Sequence, residues 1–247
     1  SLGPLRLIEI ARGCARECTF CIGRRELMPV RKADTAAILH AMENNSAPGF
    51  GLIGASVGSH PGLTEILKWA VANNAEIGIS SLRADEVKPA RVQLLAETGV
   101  RILTVAADGA SERLRKQMKK GITEKHLLAA AEVARDNGMA QLKVYQMLGI
   151  PGETEEDIEE MLDFAEELAS EISLVIAPSI FVPKRGTPLE NAPFAGVNPM
   201  DKRLKMIRSL SGPGLQISQI SPRESALEAL IGQLNAGDAE KVIEVAR

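Results

Sequence analysis

Aromatic side chains are scarce: one Trp, one Tyr and five Phe make up 3% of 247 residues. Splayed RNA bases are held by stacking on such rings, so a nucleic-acid partner is not expected. Charge of one sign is lacking as well. The 29 Lys and Arg against 32 Asp and Glu leave a formal net charge of −3, no general field for nucleic acid or an anionic membrane. No apolar run reaches about 18 residues, so no segment has the pattern of a spanning helix. The opening Ser1-Leu2-Gly3-Pro4-Leu5 lacks the charged-then-apolar layout of a secretory signal, and a cytoplasmic location is expected. Cysteine is the scarcest informative residue, at three. An odd trio in a reducing compartment excludes a disulfide framework. What is plentiful is ordinary: 45% hydrophobic and 25% charged residues, enough for one large domain or two small ones with a substantial core.

All three cysteines lie in Cys14-Ala15-Arg16-Glu17-Cys18-Thr19-Phe20-Cys21. Three readings compete for this C-x3-C-x2-C cluster. The spacing i, i+4, i+7 also marks one face of a helix, where free Cys is a small buried hydrophobe. A structural zinc site wants four ligands, and the histidines His40, His60 and His126 all lie far away in sequence. An iron–sulfur cluster held by three thiolates, with one iron open to an outside ligand, fits the spacing best. Gly13, just before the first cysteine, supplies backbone freedom for a loop wrapping such a cluster.

Apolar runs of strand length alternate with segments of helical period along most of the chain. Strands are expected at residues 5–10, 50–54, 77–80, 100–106, 141–148 and 172–182, the last interrupted at Pro178. Asp34 caps a helix to about Asn45, another opens with Pro61 in its first turn, and Gly99 stops a third. Helical pieces at 111–119 and 124–137 are separated by Gly121 and ended by Gly138. Thr154 caps Glu155-Glu156-Asp157, acids placed where a helix N-terminus favours them. A helix near 199–210, an apolar segment Leu215–Ile220 and a terminal helical region follow. Six strand–helix units imply an α/β fold with a parallel sheet and right-handed crossovers, too few for an eight-unit barrel. A doubly wound sheet and an open partial barrel both remain, and both gather chemistry at the carboxyl ends of the strands. The cysteine loop follows the first strand at such an end.

These residues together resemble the radical S-adenosylmethionine (SAM) superfamily: C-x3-C-x2-C with Phe20 before its last cysteine, after the first of repeated strand–helix units. Leu7-Ile8-Glu9-Ile10-Ala11-Arg12-Gly13-Cys14, Ser81-Leu82-Arg83-Ala84-Asp85, and Gly109 to Arg115 are similar to the group that carries a cobalamin-binding domain ahead of its radical domain. Lys143-Val144-Tyr145-Gln146-Met147-Leu148-Gly149-Ile150-Pro151-Gly152-Glu153-Thr154 and Phe181-Val182-Pro183-Lys184 continue the likeness, which extends to methylthiotransferase cores. The fold this implies is a partial (βα)6 TIM-like barrel over residues 1–197, with 198–247 as a helical extension packed on it. The chemistry it implies is a [4Fe-4S] cluster on Cys14, Cys18 and Cys21 whose open iron chelates SAM. One-electron reduction, from a donor such as flavodoxin or ferredoxin, then cleaves SAM to a 5′-deoxyadenosyl radical.

The resemblance also implies SAM contacts, residue by residue. Phe20 corresponds to an aromatic near adenine. Ala55-Ser56-Val57-Gly58-Ser59 occupies the place of a Gly-Gly-Glu motif whose carbonyls accept from the SAM amino group, which points to Ser56, Gly58 and Ser59. Ser81 and Arg83 fall where a polar residue meets ribose or methionine, although Arg83 could instead pair with Asp85. Asp108 stands where relatives carry Glu or Gln facing SAM, and Lys120 where they direct a cation at its carboxylate. Ile150 and Pro151, with Val182 beyond the sixth strand, correspond to the adenine wall. His60 is given no role.

Three functions follow as expectations. The first is a radical SAM enzyme, a cobalamin-linked methyltransferase in which cobalamin sits on a domain absent from this chain. The second is a methylthiotransferase-like enzyme modifying RNA or protein. The third, of another class, is a non-catalytic iron–sulfur module. The substrate is not legible, because substrate walls come from loops and added domains.

Overall fold

A computed structural model describes residues 5–234 and 236–238. Residues 1–4 and the last part of the expected extension, 239–247, lie outside the described residues.

The alternation resolves into β1 (Arg6–Arg12), a two-residue β2 (Arg31–Lys32), β3 (Gly49–Gly54), β4 (Glu76–Ile79), β5 (Ile102–Ala106), β6 (Gln141–Leu148), β7 (Leu174–Ile180) and β8 (Leu215–Ile217). The helices are α1 (Gly23–Glu26), α2 (Thr35–Glu43), α3 (Leu63–Ala72), α4 (Pro89–Glu97), α5 (Glu112–Gln117), α6 (Glu124–Asp136), α7 (Glu155–Glu171), α8 (Val197–Arg208) and α9 (Pro222–Gln233). Strand order is β2-β1-β3-β4 in one half and β5-β6-β7-β8 in the other. Every pairing is parallel except β1 with β2. The halves meet at a bridge between Leu82 and Val105, where the Leu82 amide donates to the Thr104 carbonyl at 2.9 Å. Among the described residues no ladder joins β2 to β8, so the curved wall is a partial barrel of six strand–helix units with β8 added at one edge.

Period two decides which way each strand faces. Phe50, Leu52, Leu103, Val105, Leu142, Val144, Leu174 and Ile176 are all at most 5% exposed and form one core with the helices. Each such burial is worth roughly 1.5–3 kcal/mol. Their neighbours in sequence turn to the concave side, where Ile53, Ile102 and Tyr145 are 39%, 44% and 37% exposed. Pro178 does not interrupt β7. Phe181 donates its amide to Leu148 on β6, so by parity the missing N–H of Pro178 faces the β8 side. There β8 has already ended, at Ile217, and no ladder bond is lost.

Two further departures have local causes. The helix expected to open at Pro61 starts at Leu63, because a 3-10 turn (Val57–Ser59) and buried His60 come first. His60 Nδ1 accepts the Gly62 amide at 3.1 Å while Nε2 lies 2.9 Å from the Ala33 carbonyl, so this histidine is occupied in holding the turn. The segment after 197 is not helical throughout, since β8 pairs in parallel with β7.

Helix starts follow the capping residues. The Asp34 carboxylate accepts from the Ala37 amide at 3.2 Å, and Thr154 with Asp157 forms a capping box on α7. Asp157 also accepts from Ser111 and from the Arg113 guanidinium, which ties α7 to α5. Burial alone would push this carboxyl up; the bonds from Arg113, Ser111 and Thr154 outweigh it and hold it at about 2. An unfolded aspartate titrates near 3.9, so the ionised form stabilises the fold. That contribution is complete above about pH 5 and is lost as pH falls toward the folded value. Asp157→Asn is therefore expected to cost about 2 kcal/mol at neutral pH, with a deficit that shrinks as pH drops below about 4, read by urea unfolding across that range.

Candidate functional site

The loops after β1, β3, β4, β5, β6 and β7 all leave the carboxyl ends of parallel strands and so share one rim of the barrel. The cysteine loop leaves β1 through Gly13, whose φ is +82° and where a Cβ would lie 2.4 Å from the Leu27 carbonyl oxygen. No helix carries the cysteines, since α1 begins only at Gly23; the helix-face reading of their spacing does not hold. Cys14 and Cys18 are half-buried and Cys21 is exposed. The Cys21 amide donates to the Cys18 carbonyl at 3.2 Å, and the Gly23 amide lies 3.4 Å from Cys21 Sγ.

The β5–α6 segment closes over this loop from across the barrel. The Thr19 amide donates to the Met118 carbonyl at 3.0 Å, and Cys18 Sγ lies 3.9 Å from the Lys119 carbonyl. Lys119 has φ +54°, a left-handed turn that aims its carbonyl at the cysteine. The next residue, Lys120, is 8% exposed and pairs with Asp108. Asp108 itself has φ +59°, and its amide is held by the Tyr145 carbonyl of β6 at 3.2 Å. A non-glycine residue in that region is strained by roughly 1 kcal/mol or more, a cost commonly found at functional loops. Burial pushes the Cys18 thiol up, while Lys120 and Arg83 pull it back.

Arg83 lies just beyond β4 and pairs with Asp85 at 2.9 Å, while its other nitrogen donates to the Lys120 carbonyl at 3.0 Å. Arg16, between the first two cysteines, reaches Glu86 at 3.2 Å and Asp85 at 3.5 Å. Ion pairs thus run from the cysteine loop to the β4 loop, and the Arg83 hydrogen bond to the Lys120 carbonyl carries the chain on to the Asp108–Lys120 pair. Ser81 is half-buried at the start of the same loop.

After β3 the geometry is tighter. The Gly58 carbonyl accepts Arg91 at 2.6 Å, the Ser59 carbonyl accepts Lys32 at 2.6 Å, and the Ser56 carbonyl accepts the Ser59 hydroxyl at 2.9 Å. A Cβ on Gly58 would lie 2.7 Å from Glu86 Oε2, which has no partner, and Ser56 Oγ has none either. After β6, Gly149 and Gly152 have φ of +74° and +81°, and the turn between them is fastened by Gln117 to Pro151 at 3.0 Å and by Arg113 to Gly152 at 2.8 Å. Ile150 is 2% and Val182 7% exposed, so their side chains pack inward and the backbone forms the surface. Phe20 packs against the same apolar cluster that contains Ile150.

The sequence reading therefore places its residues on one rim, but it misses the ones that join them. Arg16 and Glu86 were visible as charges with no assigned partner. The Met118 and Lys119 carbonyls carry no side-chain signal at all, because any residue supplies a carbonyl.

The chain matches the family profile described as the Radical SAM superfamily over residues 8–165. It is 34% identical over 197 residues to an uncharacterized protein of Methanocaldococcus jannaschii, covering 78% of this chain and 44% of that protein. It is 28% identical over 181 residues to the ribosomal protein uS12 methylthiotransferase RimO of Acidothermus cellulolyticus, covering 65% of this chain and 37% of that one. The chain thus spans less than half the length of these curated relatives. Among solved structures, SuiB of Streptococcus suis bound to S-adenosylmethionine superposes with a TM-score of 0.65 at 14% identity, over 88% of this chain and 51% of that one. The cobalamin-dependent S-adenosylmethionine radical enzyme OxsB, with aqua-cobalamin and S-adenosylmethionine bound, gives 0.57 at 17% identity, over 94% and 36%. At such identities the two structures show a shared fold.

Proposed function

The chain belongs to the radical SAM superfamily, and from that premise we propose that it is the catalytic core of an enzyme that cleaves SAM reductively. The observation that carries this reading is the closure of the Lys119–Lys120 turn on Cys18 at the rim, which sets a buried cation beside a thiol loop. Cys14, Cys18 and Cys21 would hold a [4Fe-4S] cluster. The donor set fits: three thiols share one loop, Lys120 and Arg83 offset the negative charge of thiolates, and the Gly13 turn closes the loop on Leu27. Among the described residues no three His, Cys, Asp or Glu side chains converge as ligands of one ion do; thiolates that bind separate irons of a cluster stand further apart. When bound, the cluster and SAM supply a one-electron cleavage that yields a 5′-deoxyadenosyl radical.

The chain's own residues bind and orient. Lys120 offers its ammonium to the SAM carboxylate, with Asp108 fixing its position. The Gly58 and Ser59 carbonyls each keep a second lone pair for the SAM amino group, and Ser56, whose carbonyl accepts both the amide and the hydroxyl of Ser59, holds that turn in shape. Ser81 and Arg83 face the ribose and methionine portions. Phe20, Ile150, Pro151 and Val182 build the adenine wall, chiefly through the backbone of 149–152 and the ring of Phe20. Residues 1–197 form this core and 198–247 an extension packed on it, in a cytoplasmic enzyme fed by a flavodoxin- or ferredoxin-type donor. Its reaction is methyl or methylthio transfer. Similarity to RimO supports the methylthio reading, and the cobalamin-linked one rests on the sequence likeness of segments such as Ser81–Asp85. Cobalamin binding by a longer form of the protein separates the two.

The test of the core reading is anaerobic reconstitution of this chain with iron and sulfide, followed by dithionite and SAM. About four irons per chain and release of 5′-deoxyadenosine are expected. Uptake of zinc in place of iron, or intact SAM under reducing conditions, would overturn the assignment.

A further inference from the structure

Glu153 ends the β6 loop with its carboxylate inside the protein: the side chain is 1% exposed, and Oε2 has no partner. Oε1 accepts the Gly149 amide at 2.9 Å, so the side chain folds back across the turn and fixes its first residue. Burial pushes this carboxyl up, against the Gly149 amide and Arg203, which pull it down. A carboxylate so placed stays ionised only beside a cation. Among the described residues the cation in direct contact is Arg203 of α8, itself only 15% exposed. Its guanidinium forks, one nitrogen to Glu153 and the other to Glu155 in the first turn of α7 at 2.8 Å. Met200, one turn earlier on α8, closes the same place, and a Cβ on Gly149 would lie 3.0 Å from its sulfur.

The other charged groups around Glu153 are spoken for or turned away. Arg113 of α5 binds Asp157 and the Gly152 carbonyl, and Lys202 of α8 lines the outer hollow beside Glu155. The neutral amide of Gln117 holds Pro151.

We infer that Arg203 is a positioning residue for the loop Gly149–Glu153. It lets the Glu153 carboxylate stay buried while charged, and Glu153 Oε1 accepts the Gly149 amide and hence sets the path of the loop. A helix 50 residues downstream thereby sets one wall of the rim. The inference rests on the proposed reading of that loop as the adenine wall of a SAM site.

The test compares wild type, Arg203→Met, Arg203→Lys and the double variant Arg203→Met with Glu153→Gln. SAM binding to the anaerobically reconstituted proteins is measured by equilibrium dialysis between about pH 6 and 8.5, each as a ratio to wild type so that titration of SAM itself cancels. Without its cation Glu153 titrates higher still, and its charged form is the one that disturbs the loop. Arg203→Met is therefore expected to bind about tenfold or more weakly at the upper pH and to approach wild type at the lower. The double variant buries no charge and is expected within about threefold of wild type throughout. Arg203→Lys keeps a cation for Glu153 and is expected to show a flat ratio.

A pH-independent deficit in Arg203→Met, a double variant no better than the single, or a pH-dependent Arg203→Lys would overturn the inference. Exchange of the Gly149 amide in the cluster-free chain reads the same coupling without SAM. It should quicken more in Arg203→Met than in wild type as pH rises, and not in the double variant. Wild type that binds no SAM while this exchange pattern holds would sink the adenine-wall reading alone.

Discussion

Cys18→Ala is expected to remove bound iron from the reconstituted chain and to lower 5′-deoxyadenosine release at least about a thousandfold, with the fold intact. Cys14→Ala and Cys21→Ala should do the same, because a cluster that keeps one iron open for SAM has no thiolate to spare. The loss can be assigned to chemistry because none of the three belongs to either apolar cluster. Two are half-buried on a loop and the third is exposed, so each replacement should shift the unfolding free energy of the cluster-free chain by less than about 1 kcal/mol. Cys18 is the most informative of the three. Its sulfur lies against the carbonyl of Lys119, the residue before the Lys120 that pairs with Asp108. Iron content and circular dichroism on the same samples check the prediction. Retention of about four irons, or loss of helical signal before iron is added, would defeat it.

How much of this is legible in the amino-acid sequence depends on the range of each interaction. The strands of the barrel were legible because burial on one face writes a period of two into Phe50–Leu52, Leu103–Val105 and Leu142–Val144. Helix starts at Asp34 and Thr154 were legible where a side chain caps the backbone within three residues. Pairings across the barrel were not. Asp108 and Lys120, each read as facing a ligand, also bind one another, and nothing in their separation of twelve positions writes that down. The carbonyls of Met118 and Lys119 leave no trace in side-chain identity. Glu153 and Arg203 meet only because α8 returns over the β6 loop, and β8 shows only on pairing that the C-terminal segment continues the sheet. Local chemistry was readable; closure of loops by distant elements was not.

The same distinction explains why Arg115→Met should be among the most damaging single changes in the chain. Arg115 is 2% exposed, and its guanidinium serves backbone carbonyls: Ile122 at 3.0 Å, Gly109 at 3.0 Å and Ala110 at 3.4 Å. Burial pulls its pKa down, offset in part by Glu124, whose carboxylate stands 3.7 Å away. The three carbonyls flank the segment that carries Met118, Lys119 and Lys120, so this one side chain ties together both ends of the loop that closes on the cysteines. Methionine fills a similar volume but donates nothing, leaving those carbonyls buried and unpaired at about 1–3 kcal/mol for each poorly compensated group. A loss of about 3 kcal/mol or more in unfolding free energy is expected, together with weaker SAM binding than an equally destabilised core variant such as Leu103→Ala. Chemical denaturation and SAM affinity measured on both variants decide the matter. If Arg115→Met lowers stability but binds SAM as well as Leu103→Ala does, Arg115 supports the core alone and the loop holds its shape without it.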